Sequence, residues 1–394
     1  MLLAGSPSTS VRGLCNRTGK PGDGTVLVVD TLGPDHYGAI IAASAVICAR
    51  GGRTGHMQSL CRSRGIPVLR VDALELDALV GEVTVRAEAV ILGDADATAH
   101  PVHHQGIAPD DLESLCVVIA DATDIQSTNA LVPRVEPANC YFVREEFICF
   151  GANLSPIDSL RASDREAERY GEAIATELYS MVKELLPGQR LVMRLLDLRS
   201  DDAARITTGI EVEDEPNPEL GLHGARWLVQ ESRYPRAFQS LRTYARERLG
   251  ADADRVSFAV PFINDQDEFL RLRRHLGLTD DTPLGVFLET PAAVHSTAGF
   301  CAAGASELFV GTKDLIQFLL AADRGNHLAA SSYQTRHPAV LSALRQAIES
   351  GRAAGVPVHV FALGDDVDHY LRHLPTRRLM MCTAELRQLA RSHM

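Results

Sequence analysis

The chain has 394 residues, 45% of them hydrophobic, and a formal net charge of −12, which is enough length for two or three domains with ordinary cores. The acidic surplus, offset by no basic stripe, argues against a nucleic-acid partner. No apolar run approaches the ~18 residues of a membrane span, no signal-peptide core is visible, and the eight scattered cysteines indicate reduced thiols in a cytoplasmic protein without membrane partners.

The first part of the chain predicts a small α/β domain behind a loose N-terminal tail. Residues 1–23 are rich in Gly, Ser, Thr and Pro, so we expect a flexible tail there. Residues 24–92 then alternate buried strand patterns with short helical ones. The pattern includes a strand at 25–30, a helix leading into a strand at 36–49, a turn at Gly51-Gly52, a short helix at 56–65 and strands at 66–71 and 82–92. The polar segment 93–112 predicts a linker.

Residues 113–394 predict a second, larger domain in which short apolar strands alternate with helices. This alternation is typical of parallel β/α architecture, and eight strands in roughly 280 residues fit a (β/α)8 TIM barrel. The strand candidates are LCVVIA (115–120), CYFV (140–143), RLVMRLL (190–196), VSFAV (256–260), LGVFL (284–288), ELFVG (307–311), VHVFA (358–362) and RLMMC (378–382).

Charged residues gather where these strands end, which is the face that carries the active site in such barrels. Arg144 ends the second strand, Arg194 lies near the end of the third and is followed by Asp197, Glu289 follows the fifth, and Asp314 follows the sixth. Arginines bind phosphate or carboxylate bidentately, and two carboxylates with substrate oxygens and waters suit Mg²⁺. The pattern therefore predicts a site for a small anion and a metal ion.

The segment GVFLETPAAVHSTAGFCAAGASELFVGTKDLIQFLLAADRGN is similar to the barrel signature of the phosphoenolpyruvate (PEP)-utilising enzymes. This family includes Enzyme I of the sugar phosphotransferase system, PEP synthase and pyruvate phosphate dikinase. CYFVREEFICFG resembles its R-T-E-F segment, VMRLLDLRSDD its R-T-x-D-x-x-x-D-K motif and NPELGLHGAR its N-P-x-L-G-x-R-x-x-R motif. GGRTGHMQSLCRSRGIPVL resembles the phosphohistidine loop, G-G-x-x-S-H-A-A-I-x-A-R-x-x-G-I-P.

The resemblance implies a swivelling phosphohistidine domain followed by a PEP-binding barrel, with Mg²⁺ or Mn²⁺ as cofactor and a homodimer as the assembly. Its residue roles transfer to matching positions. They are the phosphorylated histidine at His56, PEP-binding arginines at Arg144 and Arg194, a further phosphate-site arginine at Arg324, and metal ligands at Glu289 and Asp314.

The chain also departs from the family pattern. The family's M-C-G-E cysteine, which protonates enolpyruvate, is missing from VPVHVFALGDD, where Phe361 or His359 stands near that position. Cys382 and His359 are the candidates for this acid, and we favour Cys382 because nearby cations are expected to lower its pKa. The phosphate-binding arginine of N-P-x-L-G-x-R becomes His223 and the asparagine of G-T-N-D-L becomes Lys313, both expected to bind substrate.

The leading hypothesis is a PEP-dependent phosphotransferase that moves the phosphoryl group between PEP and His56, with pyruvate as the other product. The chain shows no ATP-binding domain and no carrier-docking insert, so a separate protein or small molecule must supply or accept the phosphoryl group. Two alternatives remain open: a lyase or transferase that diverts the enolate of a PEP-like acid, and a regulatory phosphocarrier whose barrel senses PEP.

Overall fold

The structure is a computed structural model that describes two α/β domains. The described residues are 2–4, 10–50, 56–86, 90–92, 112–131, 138–324, 326–329, 331–364, 366–383 and 385–386. Most of the predicted linker and the predicted Gly51-Gly52 turn lie outside these residues. Across the described residues, none of the helices combines the length and the apolar character that a membrane crossing requires.

The N-terminal domain is built on a mixed sheet. Seven strands belong to it in the described part of the chain, in the order β1-β5-β4-β3-β2-β6-β7. Their bounds are β1 Leu2–Ala4, β2 Val11–Asn16, β3 Val26–Thr31, β4 Ala45–Arg50, β5 Val68–Arg70, β6 Glu82–Val85 and β7 Val90–Leu92. The strands β2 to β5 pair in parallel, whereas β1, β6 and β7 join antiparallel. The predicted strands of this domain are present, with 82–92 divided into β6 and β7.

The prediction of a loose tail at residues 1–23 is wrong for the parts that the structure describes. Val11–Asn16 forms β2 inside the sheet, parallel to β3 and antiparallel to β6. Gly13 permits this close pairing, because a Cβ there would lie 2.6 Å from the carbonyl oxygen of Gly24. Non-local strand pairing, rather than local composition, therefore orders this segment.

Three helices cover the sheet of the N-terminal domain: α1 Tyr37–Ala42, α2 His56–Arg64 and α3 Ala73–Ala78. The helix α2 is the one predicted at 56–65, and Met57, Leu60 and Cys61 on it are fully buried. The first residue of this helix is His56, the predicted phosphorylation site. A helix N-terminus favours a bound anion through its unpaired amides and its dipole.

The C-terminal domain is a closed parallel barrel in the order β10-β11-β12-β13-β14-β15-β8-β9. Its strands are β8 Ser114–Ile119, β9 Ala138–Arg144, β10 Arg190–Arg194, β11 Val256–Val260, β12 Leu284–Leu288, β13 Leu308–Val310, β14 Val358–Phe361 and β15 Arg378–Cys382. Each falls on one of the eight predicted apolar segments. The predicted (β/α)8 fold is confirmed.

Helices surround this barrel and connect its strands. They are α4 Ala122–Asn129, α5 Glu145–Gly151, α6 Pro156–Ala162, α7 Asp164–Lys183, α8 Ser200–Ile206, α9 Ala225–Gln230, α10 Tyr234–Leu249, α11 Gln266–His275, α12 Pro291–His295, α13 Thr297–Ala302, α14 Thr312–Leu320, α15 Pro338–Ala354 and α16 Asp366–His373.

The barrel interior is filled by side chains, as expected for eight strands. The rings of Phe142, Phe287 and Phe309 pack against one another, with ring centroids 5.0 to 6.4 Å apart. Below them, at the N-terminal ends of the strands, Arg190 and Glu307 form an ion pair. The strands therefore enclose a packed core, and the space for chemistry lies above it at their C-terminal ends.

Candidate functional site

A small cavity lies at the C-terminal mouth of the barrel, between the barrel and the N-terminal domain; we call it the mouth cavity. Its volume is about 20 Å³, which is room for roughly one water molecule. It is lined by Ser59, Val118, Arg144, Arg194, Phe287, Glu289, Gly311, Lys313, Asp314, Arg324, Phe361 and Met380. Six of the predicted site residues are therefore brought together here.

Arg144 ends β9 and is the N-cap residue of α5, where it is 8% exposed. Its guanidinium lies 5.1 Å from the ring centroid of Phe147. Burial and the neighbouring charge of Arg194 hold the pKa of Arg144 below its ordinary value. Among the described residues no group accepts a hydrogen bond from its buried Nε, so the side chain retains a donor for an anion.

Arg194 ends β10 and is the centre of a buried charge network. It contacts Glu146 Oε1 at 2.5 Å, Asp197 Oδ2 at 3.1 Å and Glu289 Oε1 at 3.1 Å. Burial by itself would lower the pKa of Arg194. The neighbouring carboxylates outweigh burial and hold this pKa above its ordinary value. Because three carboxylates converge on one guanidinium, the network keeps negative charge that a further cation would neutralise.

Glu289 follows β12 and is 1% exposed. Its Oε2 accepts a hydrogen bond of 3.0 Å from the backbone N–H of Phe262. Phe262 has a φ of 44°, a left-handed conformation that is strained for a bulky residue and is often found at functional sites. Burial, together with the charges of Asp197 and Asp314, raises the pKa of Glu289 well above its ordinary value.

Asp314 lies in the first turn of α14, whose start is held close to Glu289 by Gly311. A Cβ on Gly311 would lie 2.7 Å from Cγ of Glu289 and 2.5 Å from the ring of Phe287, so only glycine fits. Arg324 binds Asp314 with both ends of its guanidinium, at 2.8 and 3.1 Å. The predicted phosphate-site arginine and the predicted metal ligand are thus direct partners.

Lys313 precedes Asp314 and is also buried, at 7% exposure. Its ammonium donates a hydrogen bond of 2.6 Å to the hydroxyl of Ser59 in the N-terminal domain. It also lies 5.0 Å from the ring centroid of Phe361 at the end of β14. Burial, followed by the charge of Arg144, lowers the pKa of Lys313 to about 7.

His223 lies beside this site but is not among the residues that line the mouth cavity. Its Nδ1 is 2.6 Å from Asp197 Oδ1, and its ring centroid is 4.0 Å from that of Phe262. Asp197 raises the pKa of His223 in spite of burial, which lowers it. Gly224 makes the turn possible, with φ of 56° and a hypothetical Cβ only 2.5 Å from Phe262 Cβ. In this arrangement His223 supports Asp197.

Glu289 and Asp314, the two predicted metal ligands, provide part of the ligand set that a divalent cation needs. No group of three or more histidine, cysteine or acidic side chains forms a ready metal site among the described residues. Glu289 and Asp314 nevertheless line one cavity, and burial, followed by the charges of Asp197 and Asp314, raises the pKa of Glu289. Two carboxylates completed by substrate oxygens and waters match the ligand preference of Mg²⁺.

The N-terminal domain is docked on this mouth through several polar contacts. Besides the bond between Ser59 and Lys313, Arg64 pairs with Asp121 and lies 3.5 Å from Asp124. Arg205 of the barrel domain lies 3.3 Å from Asp35. The helix that begins at His56 is therefore held at the barrel mouth.

Sequence profiles of two families match the two domains. Residues 142–363 match "PEP-utilising enzyme, PEP-binding domain" and residues 21–100 match "PEP-utilising enzyme, mobile domain". The barrel match alone covers more than half of the 394 residues. The chain belongs to the PEP-utilising enzyme family. The predicted family and the predicted pairing of a mobile domain with a PEP-binding barrel are confirmed.

Relatives of this chain within the PEP-utilising enzymes carry both kinds of name that the sequence suggested. A probable phosphoenolpyruvate synthase of Archaeoglobus fulgidus is 26% identical over 89% of this chain and 47% of that protein. A phosphoenolpyruvate-protein phosphotransferase of Haloferax volcanii is 27% identical over 82% of this chain and 58% of that protein. A multiphosphoryl transfer protein of Xanthomonas campestris is 29% identical over 77% of this chain. The chain spans about half the length of the curated relatives it matches.

Among solved structures, a HpcH/HpaI aldolase/citrate lyase family protein of Burkholderia cenocepacia aligns with 72% of this chain and 93% of its own. The identity is 17% and the TM-score is 0.40. A likeness at this level has no bearing on function.

His359 does not reach the site, contrary to its selection as a candidate acid. It lies on the interior face of β14, stacked on Phe309 with ring centroids 5.4 Å apart. Its Nε2 is 2.8 Å from Oε1 of Glu307, the carboxylate that pairs with Arg190 at the bottom of the barrel. The predicted inward face is correct, but the side chain belongs to the opposite end of the barrel from the mouth cavity.

Cys382 ends β15 near the mouth, but its thiol lacks the expected acidity. Lys313, Arg62 and Arg144 each lower its pKa, whereas burial and Glu385 raise it, and burial is the largest effect. The result is a pKa raised to about 12. The expectation that neighbouring cations make this thiol an acid near neutrality is therefore wrong, because desolvation outweighs them.

Three residues of the site were not selected from the sequence. Glu146 was visible in principle, because it is the glutamate of the R-T-E-F segment two residues after Arg144. Phe262 and Ser59 carried no comparable signal. Phe262 acts through its backbone N–H, and Ser59 contacts the barrel only because the two domains are docked.

Proposed function

We propose that this chain transfers a phosphoryl group between PEP, bound at the mouth cavity, and His56 on the mobile domain. The observation that carries the proposal is the docking of α2, which starts at His56, on a barrel mouth lined by arginines and carboxylates. Ser59 follows His56 by three residues, about one helical turn, and contacts Lys313 in the cavity wall. Donor site and acceptor residue thus belong to adjoining surfaces.

The charges of the cavity suit PEP, a small acid with a phosphate and a carboxylate. Arg144 and Arg194 each have a buried Nε for which the described residues provide no acceptor. Guanidinium groups bind phosphate and carboxylate oxygens with two parallel hydrogen bonds. Lys313 and Arg324 also line this cavity. These groups offset the acidic surplus of the chain locally, which an anionic substrate requires.

In the proposed reaction, a neutral ring nitrogen of His56 attacks the phosphorus of PEP. A nitrogen–phosphorus bond forms while the bond from phosphorus to the enol oxygen breaks. The electron pair of the broken bond leaves with the oxygen as enolpyruvate, which gains a proton at carbon 3 to become pyruvate. Phosphoryl transfer passes through a loose in-line transition state, so positioning and charge neutralisation by Arg144, Arg194 and Lys313 account for most of the catalysis.

Mg²⁺ or Mn²⁺ is the proposed cofactor, held by Glu289 and Asp314. When bound, such an ion would neutralise negative charge on the substrate oxygens. Glu289 is oriented by the Phe262 amide and Asp314 by Arg324, so both carboxylates have defined positions before a cation binds.

Intact-mass analysis of the full chain with PEP and Mg²⁺ tests the proposal. We expect one phosphoryl group per chain, loss of that group in acid, and one pyruvate released for each group gained. A His56→Ala variant is the matched control and should remain unlabelled. An unlabelled parent, or a labelled His56→Ala variant, would refute the assignment of His56.

The missing acid favours one second candidate function, in which the enolate of a PEP-like acid is diverted into lyase or transferase chemistry. The end of β14 carries Phe361, His359 lies at the barrel bottom, and the pKa of Cys382 is about 12. Neither predicted proton donor, His359 or Cys382, is therefore suited to protonate an enolate formed here. Turnover of PEP to a product other than pyruvate, retained after removal of His56, would support this reading.

The second partner remains to be supplied from outside the described domains. We propose that a separate protein or small molecule donates a phosphoryl group to His56 or accepts one from phospho-His56; the names of two relatives describe phosphoryl transfer for those proteins. By analogy with the family we also propose a cytoplasmic homodimer, which sedimentation of the full chain would test.

A further inference from the structure

The contact between Ser59 and Lys313 joins two residues that are 254 positions apart. Ser59, on α2 of the mobile domain, is 4% exposed, and Lys313, on α14 of the barrel, is 7% exposed. Their 2.6 Å hydrogen bond exists only while the mobile domain is docked, because the partners belong to different domains. Whether this hydrogen bond is formed therefore shows whether the mobile domain is docked.

Docking imposes an electrostatic cost on Lys313. The charges that act on its ammonium include those of Arg144, Arg62 and Arg324, which have the same sign as the ammonium and lower its pKa. Within the described residues, no carboxylate lies within ion-pair distance of Lys313. A buried ammonium without a hydrogen-bond acceptor is strongly unfavourable. The hydroxyl of Ser59 supplies a neutral acceptor at the moment when docking removes water.

Both residues differ from the motifs that the rest of the site follows. The phosphohistidine loop pattern has isoleucine where Ser59 stands, and G-T-N-D-L has asparagine where Lys313 stands. In this chain a hydroxyl stands at the first position and an ammonium at the second, and the two are hydrogen-bonded. The two departures meet in space and compensate each other, since an isoleucine at position 59 would leave the ammonium without this acceptor.

We propose that Ser59 is a positioning residue, whose hydroxyl makes docking of the mobile domain compatible with a lysine at position 313 and aims that lysine at the mouth cavity. In the transfer step Lys313 then stands between the bound substrate and the helix that starts at His56. This second part rests on the proposed function, whereas the docking contact does not depend on it.

The docking contact is tested by hydrogen–deuterium exchange of the full chain in the absence of PEP, following peptides from α2 and α14. Ser59→Ala should raise their exchange by about tenfold, equivalent to about 1.4 kcal/mol for one charged hydrogen bond. Ser59→Thr keeps the hydroxyl and should restore protection. Ser63→Ala is the matched control, because Ser63 lies on the same helix and its hydroxyl donates a hydrogen bond of 2.8 Å to the carbonyl of Leu60 within that helix.

A double-mutant cycle isolates the pair. In a Lys313→Asn background, Ser59→Ala should change the exchange by less than about twofold, because no ammonium is buried. An equal effect of Ser59→Ala in both backgrounds, or no effect in either, would overturn the inference.

A rate measurement separates this inference from the proposed function. Single-turnover phosphorylation by PEP should slow by about tenfold in Ser59→Ala and recover in Ser59→Thr. If the parent is not phosphorylated at all, the proposed function fails while the exchange cycle still decides the docking contact. If the parent is phosphorylated and the cycle shows no coupling, only the inference fails.

Discussion

Glu145 makes the stability of the barrel depend on pH in a direction that follows from its burial. This carboxylate is 1% exposed and accepts hydrogen bonds of 2.6 Å from the hydroxyls of Tyr170 and Tyr234. Burial raises the pKa of Glu145 from its ordinary value of 4.5 to about 7, although both tyrosines lower it. The folded state therefore keeps its proton over a range in which the unfolded state loses it.

The sign and size of the effect follow from proton linkage. Between pH 4.5 and pH 7 the folded chain binds more protons at Glu145 than the unfolded chain, so the free energy of unfolding falls as the pH rises. Each pKa unit is equivalent to about 1.4 kcal/mol, which makes the total loss about 3 kcal/mol. Above pH 7 this contribution is constant. Glu145→Gln, which has no proton to lose, should abolish it.

Urea unfolding from pH 4.5 to pH 8 in the parent and in Glu145→Gln measures this difference. Trp227 is the only tryptophan and its ring lies 6.2 Å from that of Tyr234, so its fluorescence reports the relevant part of the barrel. Subtracting the two stability curves removes other titrating groups, which are shared. Parallel curves for parent and variant across this pH range would refute the assigned ionisation of Glu145.

Three further outcomes are expected. His56→Ala should abolish PEP-dependent phosphorylation while PEP still binds the barrel with at most about a twofold change in Kd by calorimetry, since binding groups and nucleophile are on different domains. Glu289→Gln and Asp314→Asn should each lower Mg²⁺-dependent activity by at least about a hundredfold. Far-ultraviolet circular dichroism should be unchanged, because Arg194 keeps Glu146 and Asp197 in the first variant and Arg324 keeps Glu219 in the second; an unaltered rate would exclude the ligand role. Cys382→Ser should leave pyruvate formation within about twofold at pH 7, because a thiol with a pKa of about 12 is a poor proton donor there, and loss of pyruvate formation in this variant would restore the thiol as the acid.

The barrel was predictable because parallel strands that are buried on both faces have continuous apolar sequences. VSFAV and LGVFL coincide with β11 and β12 at both ends. The strand β2 was missed because VRGLCN contains Arg12, Gly13 and Asn16 and shows no apolar run. Its order comes from pairing with β3 and β6, which are distant in the sequence.

The site likewise has features that the sequence predicted and features that it could not predict. Arg144, Arg194 and Glu289 were found because the strand ends of such a barrel share one face, which is a property of topology. Whether Cys382 is acidic depended on the balance between desolvation and neighbouring charge, and whether His359 reaches the mouth depended on its layer in the barrel. Neither the pKa of Cys382 nor the layer of His359 in the barrel can be read from the local sequence.

The small size of the mouth cavity sets up a competition between docking and substrate capture. With about 20 Å³ of space, the docked arrangement has room for about one water molecule. We expect PEP to enter the fraction of molecules whose mobile domain stands away, and the mobile domain to dock again around the bound substrate for transfer. The apparent Kd for PEP equals the intrinsic value divided by that open fraction. Every tenfold gain in resting docking therefore weakens PEP capture about tenfold, and the observed association rate should level off at the rate of domain departure as PEP concentration rises.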